Sequence, residues 1–274
     1  MQTKQIMALQ KICLAALVTL GGTCAWGQTP VVVDGGVLNG ASFIKGQAVG
    51  PGSLVSIFGS ELAAGLSQAD SVPLSDRLDG VSVTFNGISA PLLFVSPGQI
   101  NAQLPWTSLP AGSSSVTGNV VVTRSGVNST PQNVSIATFA PGVFSIPPGV
   151  GYAIAINNSD GSLAAPVGAI QGFPTRPAHP GDFIIVYATG LGPVTPPVVD
   201  GHDSMDQLRN TVTKPTVLIG GVAAEVAFSG LTPQFPGVNQ LNVRVPNVPA
   251  GDKIPIQIEI GGIRTTDQVI MAIQ

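Results

Sequence analysis

Apolar and polar residues alternate along short runs of this chain. Val81, Val83 and Phe85 alternate with Ser82 and Thr84, and Ile256, Ile258 and Ile260 alternate with Gln257 and Glu259. A period of two places successive side chains on opposite faces of an extended strand, so each run predicts a strand with one face toward a core and one toward water. The run DFIIVYA at 182–188 is apolar on both faces, which predicts an interior strand covered on each side. Its β-branched and aromatic residues, with Gly and Pro at its flanks, favour a strand over a buried helix. Asn86-Gly87, Ser125-Gly126, Asp160-Gly161, Gly220-Gly221 and Gly261-Gly262 lie between such runs. Two-residue hairpin turns require positive φ, which glycine and asparagine adopt at little cost, so these dipeptides mark hairpins. No convincing amphipathic helix is visible; residues 203–210 have room for a turn or two.

The runs occur twice. PGSLVSIFGSEL at 51–62 is answered by PGDFIIVYATGL at 180–191, and VTFNGISAPLLFVSP at 83–97 by VLIGGVAAEVAFSGL at 217–231. INAQLP (100–105) is answered by LNVRVP (241–246), LPAG (109–112) by VPAG (248–251), and SGVNSTPQNV (125–134) by GGIRTTDQVI (261–270). The offsets of 129, 134, 141, 139 and 136 preserve element order while loop lengths drift, which is an internal duplication with a period too long for a solenoid. Each copy predicts a small all-β module of about seven strands, whose one-faced strands are buried by stacking two sheets into a sandwich. A Pro- and Gly-rich stretch joins the copies, and YAIAINNSDGSL at 152–163 within it predicts a further hairpin. The expected division is module one at 28–145, a connector at 146–179 and module two at 180–274, arranged as a semi-rigid rod.

Composition adds the compartment. Residues 1–27 have the layout of a secretory leader: Lys4 and Lys11, an apolar stretch at 12–22 too short to span a bilayer, and an Ala-x-Gly site that predicts cleavage near Gly27-Gln28. Both cysteines, Cys13 and Cys24, lie in it, so the exported chain is expected to carry no disulfide and no thiolate. Cys24 lacks the Leu three places earlier that lipidation would call for. No later run is long enough for a membrane helix, and the expected location is periplasmic, cell-surface or extracellular. Losing the leader removes two lysines and no acids, leaving 9 basic against 14 acidic residues, a balance that argues against a nucleic-acid or anionic-membrane partner. Charged residues are 9% of the chain against roughly 25% in ordinary soluble proteins, but the Val, Ile, Leu and Phe between its turns argue against disorder.

Candidate chemistry is sparse. There is no Gly-x-Ser-x-Gly, and the only histidines, His179 in PAHPG and His202 in DGHDSMD, read as turn and loop residues rather than general bases. Ser42 and Lys45 match a Ser-x-x-Lys pattern without its companion motifs. Asp200, Asp203 and Asp206 offer hard oxygen ligands to calcium, but their spacing is not that of a calcium loop and a solvated loop is the simpler reading. No phosphate loop and no His/Cys cluster is present, so no catalytic, metal or cofactor residue is assigned and no cofactor is expected. Trp106, the one tryptophan beyond the leader, is either a stacking platform for a sugar or peptide or a cap on the core, and burial is the expected role. Asn128, Asn133 and Asn157 head sequons, which matter only in a eukaryotic secretory route.

GSLVSIFGSEL, VSVTFNGISAPLLFVSPGQINAQLPW and LPAG together resemble the IPT/TIG type of immunoglobulin-like module. The run from about Leu38 onward, with NGASF (39–43), SPGQINAQLPW (96–106), APGVFS (140–145), NNSDGSL (157–163), YATGLGPVTP (187–196) and GVNQLNVRVP (237–246), resembles the Solibacter-type uncharacterised C-terminal domain family of secreted bacterial proteins. The resemblance implies export and an Ig-like fold and carries no functional residues. The expected fold is therefore all-β, two tandem Ig-like β-sandwich modules with a hairpin-containing connector. The expected role is non-enzymatic, structural or in interaction with an extracellular protein or polysaccharide. A carbohydrate-binding module or adhesin is the alternative, and a secreted hydrolase the third reading.

Overall fold

The computed structural model describes residues 29–266 and 268–274. The expected leader and its cleavage site lie outside these residues. All regular structure among the described residues is strand, as the alternation predicts.

In the first half, seven strands carry the architecture: β1 (Val31–Asn39), β2 (Leu54–Ser60), β3 (Val81–Phe85), β4 (Leu92–Val95), β5 (Gln99–Gln103), β6 (Ser115–Arg124) and β7 (Gln132–Ala137). One sheet runs β1-β2-β5-β4, and the other is built on β3, β6 and β7. Val55, Ile57 and Ile100 from the first sheet meet Val83, Phe85, Val122 and Ile136 from the second in one buried core. These are the residues that the period of two places inward.

The second half uses β8 (Gly142–Val143), β9 (Ala155–Asn157), β10 (Phe183–Thr189), β11 (Thr216–Ile219), β12 (Val222–Leu231), β13 (Asn239–Arg244), β14 (Gly251–Ile260) and β15 (Ile270–Ile273). Its core gathers Val186, Leu241, Val217, Ile219, Ile256, Ile258 and Met271. The duplication holds at the level of register. Leu54 pairs with Gln103 as Phe183 pairs with Arg244, and Val83 faces Val122 as Val217 faces Ile258. The irregularity between Leu92 and Phe94 recurs between Val226 and Phe228. Even a side-chain bond repeats: the Val122 N–H donates to Ser129 Oγ at 3.0 Å, and the Ile258 N–H to Thr265 Oγ1 at 3.1 Å.

Repetition extends to strands that sequence comparison does not align. Leu38 and Asn39 of β1 pair with Ser56 and Val55; Ile156 and Asn157 of β9 pair with the equivalent Ile185 and Ile184. Val32 pairs with Gly59 as Val143 of β8 pairs with Ala188. The single strand β1 of the first half therefore corresponds to β8 and β9 together, parted by a small hairpin, Ser145–Ile146 against Tyr152–Ala153. Within the stretch 146–179, Ala155–Asn157 pair with β10 and Ala178 bridges to Ile273.

A third apolar cluster joins the halves. Ala41 and Leu54 pack with Phe144, Ile154, Ile156, Tyr187 and Val238. β10 explains why its sequence is apolar on both faces: Ile184, Val186 and Ala188 enter the second core, while Ile185 and Tyr187 face this junction. Thr189 Oγ1 accepts from the Leu54 N–H at 3.0 Å and donates to Gly237 O at 2.7 Å, and Asn39 Nδ2 donates to Ala140 O at 2.7 Å.

Candidate functional site

The side chains with catalytic potential are tied into the fold. His179 Nδ1 lies 3.4 Å from Asp182 Oδ2 and 3.2 Å from Arg176 Nη1, so one ring nitrogen faces both a carboxylate and a guanidinium. The nearby Ser159 Oγ accepts from Arg176 Nη2 at 3.1 Å. A triad needs the imidazole between the acid and the nucleophile; here arginine holds the hydroxyl. Arg176 also bonds Asp160 at 2.7 Å. Burial raises the Asp160 carboxyl, but the Ser162 hydroxyl and backbone N–H together with Arg176 outweigh it and bring its pKa down to about 2. His202 is exposed, with Nδ1 3.2 Å from Asp200 O. The buried Ser42 Oγ donates to Gln47 Oε1 at 3.0 Å, while the stem of Lys45 lies across Gly35, so the Ser-x-x-Lys residues play separate parts.

The acidic loop does not converge on a cation. Asp200 Oδ1 accepts from the Trp106 N–H at 2.8 Å, Asp203 Oδ1 from the Met205 N–H at 3.2 Å, and Asp206 takes two bonds from Arg209 at 2.6 and 2.9 Å. Among the described residues no group of three or more His, Cys, Asp and Glu side chains is placed to hold a metal. The loop instead reaches across to the first sandwich: the Gly201 N–H donates to Gln103 Oε1 at 2.6 Å, and Gly201 O accepts from the Leu74 N–H at 2.8 Å. Trp106 belongs to this clasp. It is half-buried, its six-membered ring lies on Gly52, and its buried Nε1 has no protein partner among the described residues. With one face on Gly52, the indole is not a free two-sided platform.

What the second module does present is a cleft of about 390 Å³ on the outer face of β10, β13 and β12. Tyr187, Phe228 and Phe235 supply rings, and Thr232, Gln240 and Asn242 supply polar groups; no ionic side chain lines it. The polar groups form a ladder: Thr232 Oγ1 donates to Gln240 Oε1 at 3.3 Å, and Gln240 Nε2 to Asn242 Oδ1 at 2.9 Å. Burial pushes the Tyr187 phenol above its usual value, against a hydrogen bond with Thr232, so the hydroxyl is neutral at any physiological pH. Gly230, opposite Gln240 on β12, admits the Arg209 backbone and the Phe228 ring; a Cβ there would stand 2.0 Å from Arg209 O and 2.6 Å from Phe228 Cζ. Gln234 at the rim holds φ 71, a left-handed conformation uncommon outside glycine and asparagine. The sequence signal for this face is Gln-x-Asn at 99–101 and again at 240–242, two polar residues on one side of a strand in both copies.

Comparison with known proteins places the first module. The IPT/TIG domain profile matches residues 38–138. No curated protein sequence matches the chain. Among solved structures, it is similar to the surface glycan-binding protein PbSGBP-B from Prevotella bryantii, with 13% identity, a TM-score of 0.27, and coverage of 87% of this chain and 41% of that one. It is also similar to the gamma-CGTase from alkalophilic Bacillus clarkii (16%, TM-score 0.27, 87% and 24%) and to domains 5–6 of the S-layer protein SbsC (12%, TM-score 0.24, 89% and 99%). This chain spans less than half the length of the first two. At such identities and scores the likeness carries no functional weight.

Proposed function

We propose that this chain is a non-enzymatic, exported structural or interaction protein: two Ig-like modules clasped together, presenting loops and a sheet face to an extracellular protein or polysaccharide. In this reading it is a member of the Solibacter-type family of secreted proteins, with the leader removed near Gly27-Gln28. No helix among the described residues is long and apolar enough to cross a membrane. Module one spans 28–145 less the residues from Gly142 onward, which start module two, so the stretch 146–179 that composition marks as a connector belongs to the second sandwich.

The observation that carries the reading is the clasp. Asp200, Gly201, Gln103 and Trp106 join the sandwiches, and Ser42, His179 and Asp206 are engaged by neighbours other than a catalytic partner. Of the residues that a calcium site or a hydrolase would draw on, Asp200 is thus used to fix one sandwich against the other and the rest are held by near neighbours in sequence; the clasp is a preorganisation that serves binding. The test pairs two assays on protein spanning residues 28–274. Immobilised on a support, it is expected to retain an envelope protein or polysaccharide. Against ester, amide and glycoside substrates it is expected to show no turnover that His179→Ala or His202→Ala removes; turnover lost with either substitution overturns the reading.

A further inference from the structure

From the cleft on the outer face of β10, β13 and β12 we infer a binding site for a neutral saccharide, gripped between the Phe228 and Phe235 rings and the Gln240–Asn242 amide ladder. The inference rests on the interaction reading above and assigns it a ligand class and a place.

Three features select the ligand. First, the lining has no ionic side chain, so a charged ligand would lose its hydration with no counter-charge to replace it. Second, the ladder uses only part of its own hydrogen-bonding capacity, and the amide hydrogens left over would be covered without partners under a purely apolar ligand, which is costly. Asn242 Nδ2 has no protein partner among the described residues and is a donor in waiting. Third, the floor is made of interior strands: β13 is hydrogen-bonded to β10 on one side and β12 on the other, so no backbone edge is open for an extended peptide to add as a strand. A pyranose ring has what remains: C–H faces that lie on aromatic rings, and hydroxyls that both donate to and accept from amides. The volume of about 390 Å³ falls within the range of roughly 300–1,000 Å³ usual for ligand pockets.

The duplication supplies an internal control. In module one the equivalent Gln99 Nε2 donates to Asn101 Oδ1 at 2.8 Å, but both residues are only 6% exposed. There Phe43 tilts against Phe58, the counterpart of Tyr187, with ring centroids 6.1 Å apart. Phe43 holds φ 55 in a turn closed by its N–H on Asn39 O; in module two the same turn, Gly161 N–H on Asn157 O, carries glycine and no ring. The same ladder is thus covered by the chain itself in one copy and left half-open in the other, where Gln240 and Asn242 line a cleft.

Calorimetric titration of residues 28–274 with gluco-, galacto-, manno- and xylo-oligosaccharides tests this. Polygalacturonate and a set of extended apolar peptides serve as the charged and peptide arms. At least one neutral oligosaccharide is expected to bind saturably, with affinity falling about tenfold or more on Phe235→Ala and on Asn242→Ala, the scale of an anchor residue. Asn242→Ala keeps the test decisive if Phe235→Ala fails to fold, and Ser60→Ala, exposed on the first module, is expected to leave saccharide affinity unchanged. Saccharide binding that both cleft substitutions leave intact overturns the site, as does preference for the acidic polymer or for peptide, or no binding in any arm. Retention of an envelope partner alongside any of those results sinks the cleft alone; its loss as well sinks the interaction reading.

Discussion

Asp206 and Arg209 show how a residue that looks like surface chemistry becomes structure. The Arg209 side chain is almost wholly buried, and its guanidinium bonds both oxygens of Asp206, which is 61% exposed. Those bonds hold the Asp206 carboxyl at about 2, below its ordinary 3.8. A depressed carboxylate contributes stability that is present above its unfolded pKa and lost as pH falls through the folded one. Asp206→Asn is therefore expected to unfold at lower denaturant than the parent at pH 7. That gap should close as pH falls from about 4 to about 2, read from denaturation midpoints across the series. A gap that persists unchanged at pH 2 would mean that Asp206 acts through something other than its charge. From sequence, Asp206 reads as part of a solvated loop, because nothing in the spacing reports that the arginine three residues on is buried.

The strands themselves were legible, since alternation and turn dipeptides are local signals and the duplicated core obeys both. What escaped was β1 matching β8 and β9, because the inserted hairpin hides everything but Asn39 and Asn157 at the same register. The cleft escaped too. Its Gln-x-Asn floor repeats visibly, but Phe235 and Leu208 reach it from aperiodic loops. Duplicated turns offer a test at this scale. Gly52 and Gly181 occupy equivalent turns, donating to Leu104 O and Val245 O at 2.8 and 2.9 Å, with φ of 75 and 92. A side chain at either costs roughly 1–2 kcal/mol for its left-handed backbone. At Gly181 a Cβ meets nothing within 4 Å, whereas at Gly52 it would overlap the Trp106 ring. Gly52→Ala is thus expected to destabilise by about 1–3 kcal/mol more than Gly181→Ala, the cost of overpacking, as measured by urea unfolding. Equal losses would show that Trp106 moves aside freely and that the clasp is loose.

At the scale of the whole molecule, two sandwiches with separate cores would unfold independently if only the chain joined them. The third cluster and the bonds through it oppose this, and Thr189 is their centre. It is fully buried, and its hydroxyl links Leu54 N–H of one module to Gly237 O of the other. Thr189→Val keeps the shape and leaves both groups without that partner, a penalty of about 2–6 kcal/mol at the usual cost of a buried orphan. Ser60, the equivalent position in module one, is exposed, so Ser60→Ala should stay within about 0.5 kcal/mol of the parent. Scanning calorimetry is expected to show one transition for the parent and for Ser60→Ala, and two for Thr189→Val. The reason is that coupling through the junction, and not the stability of either core, makes the pair unfold as a unit. A Thr189→Val trace that stays single while shifting down would place the coupling in the Asp200–Trp106 clasp instead, and combining Thr189→Val with Asp200→Ala would then split it.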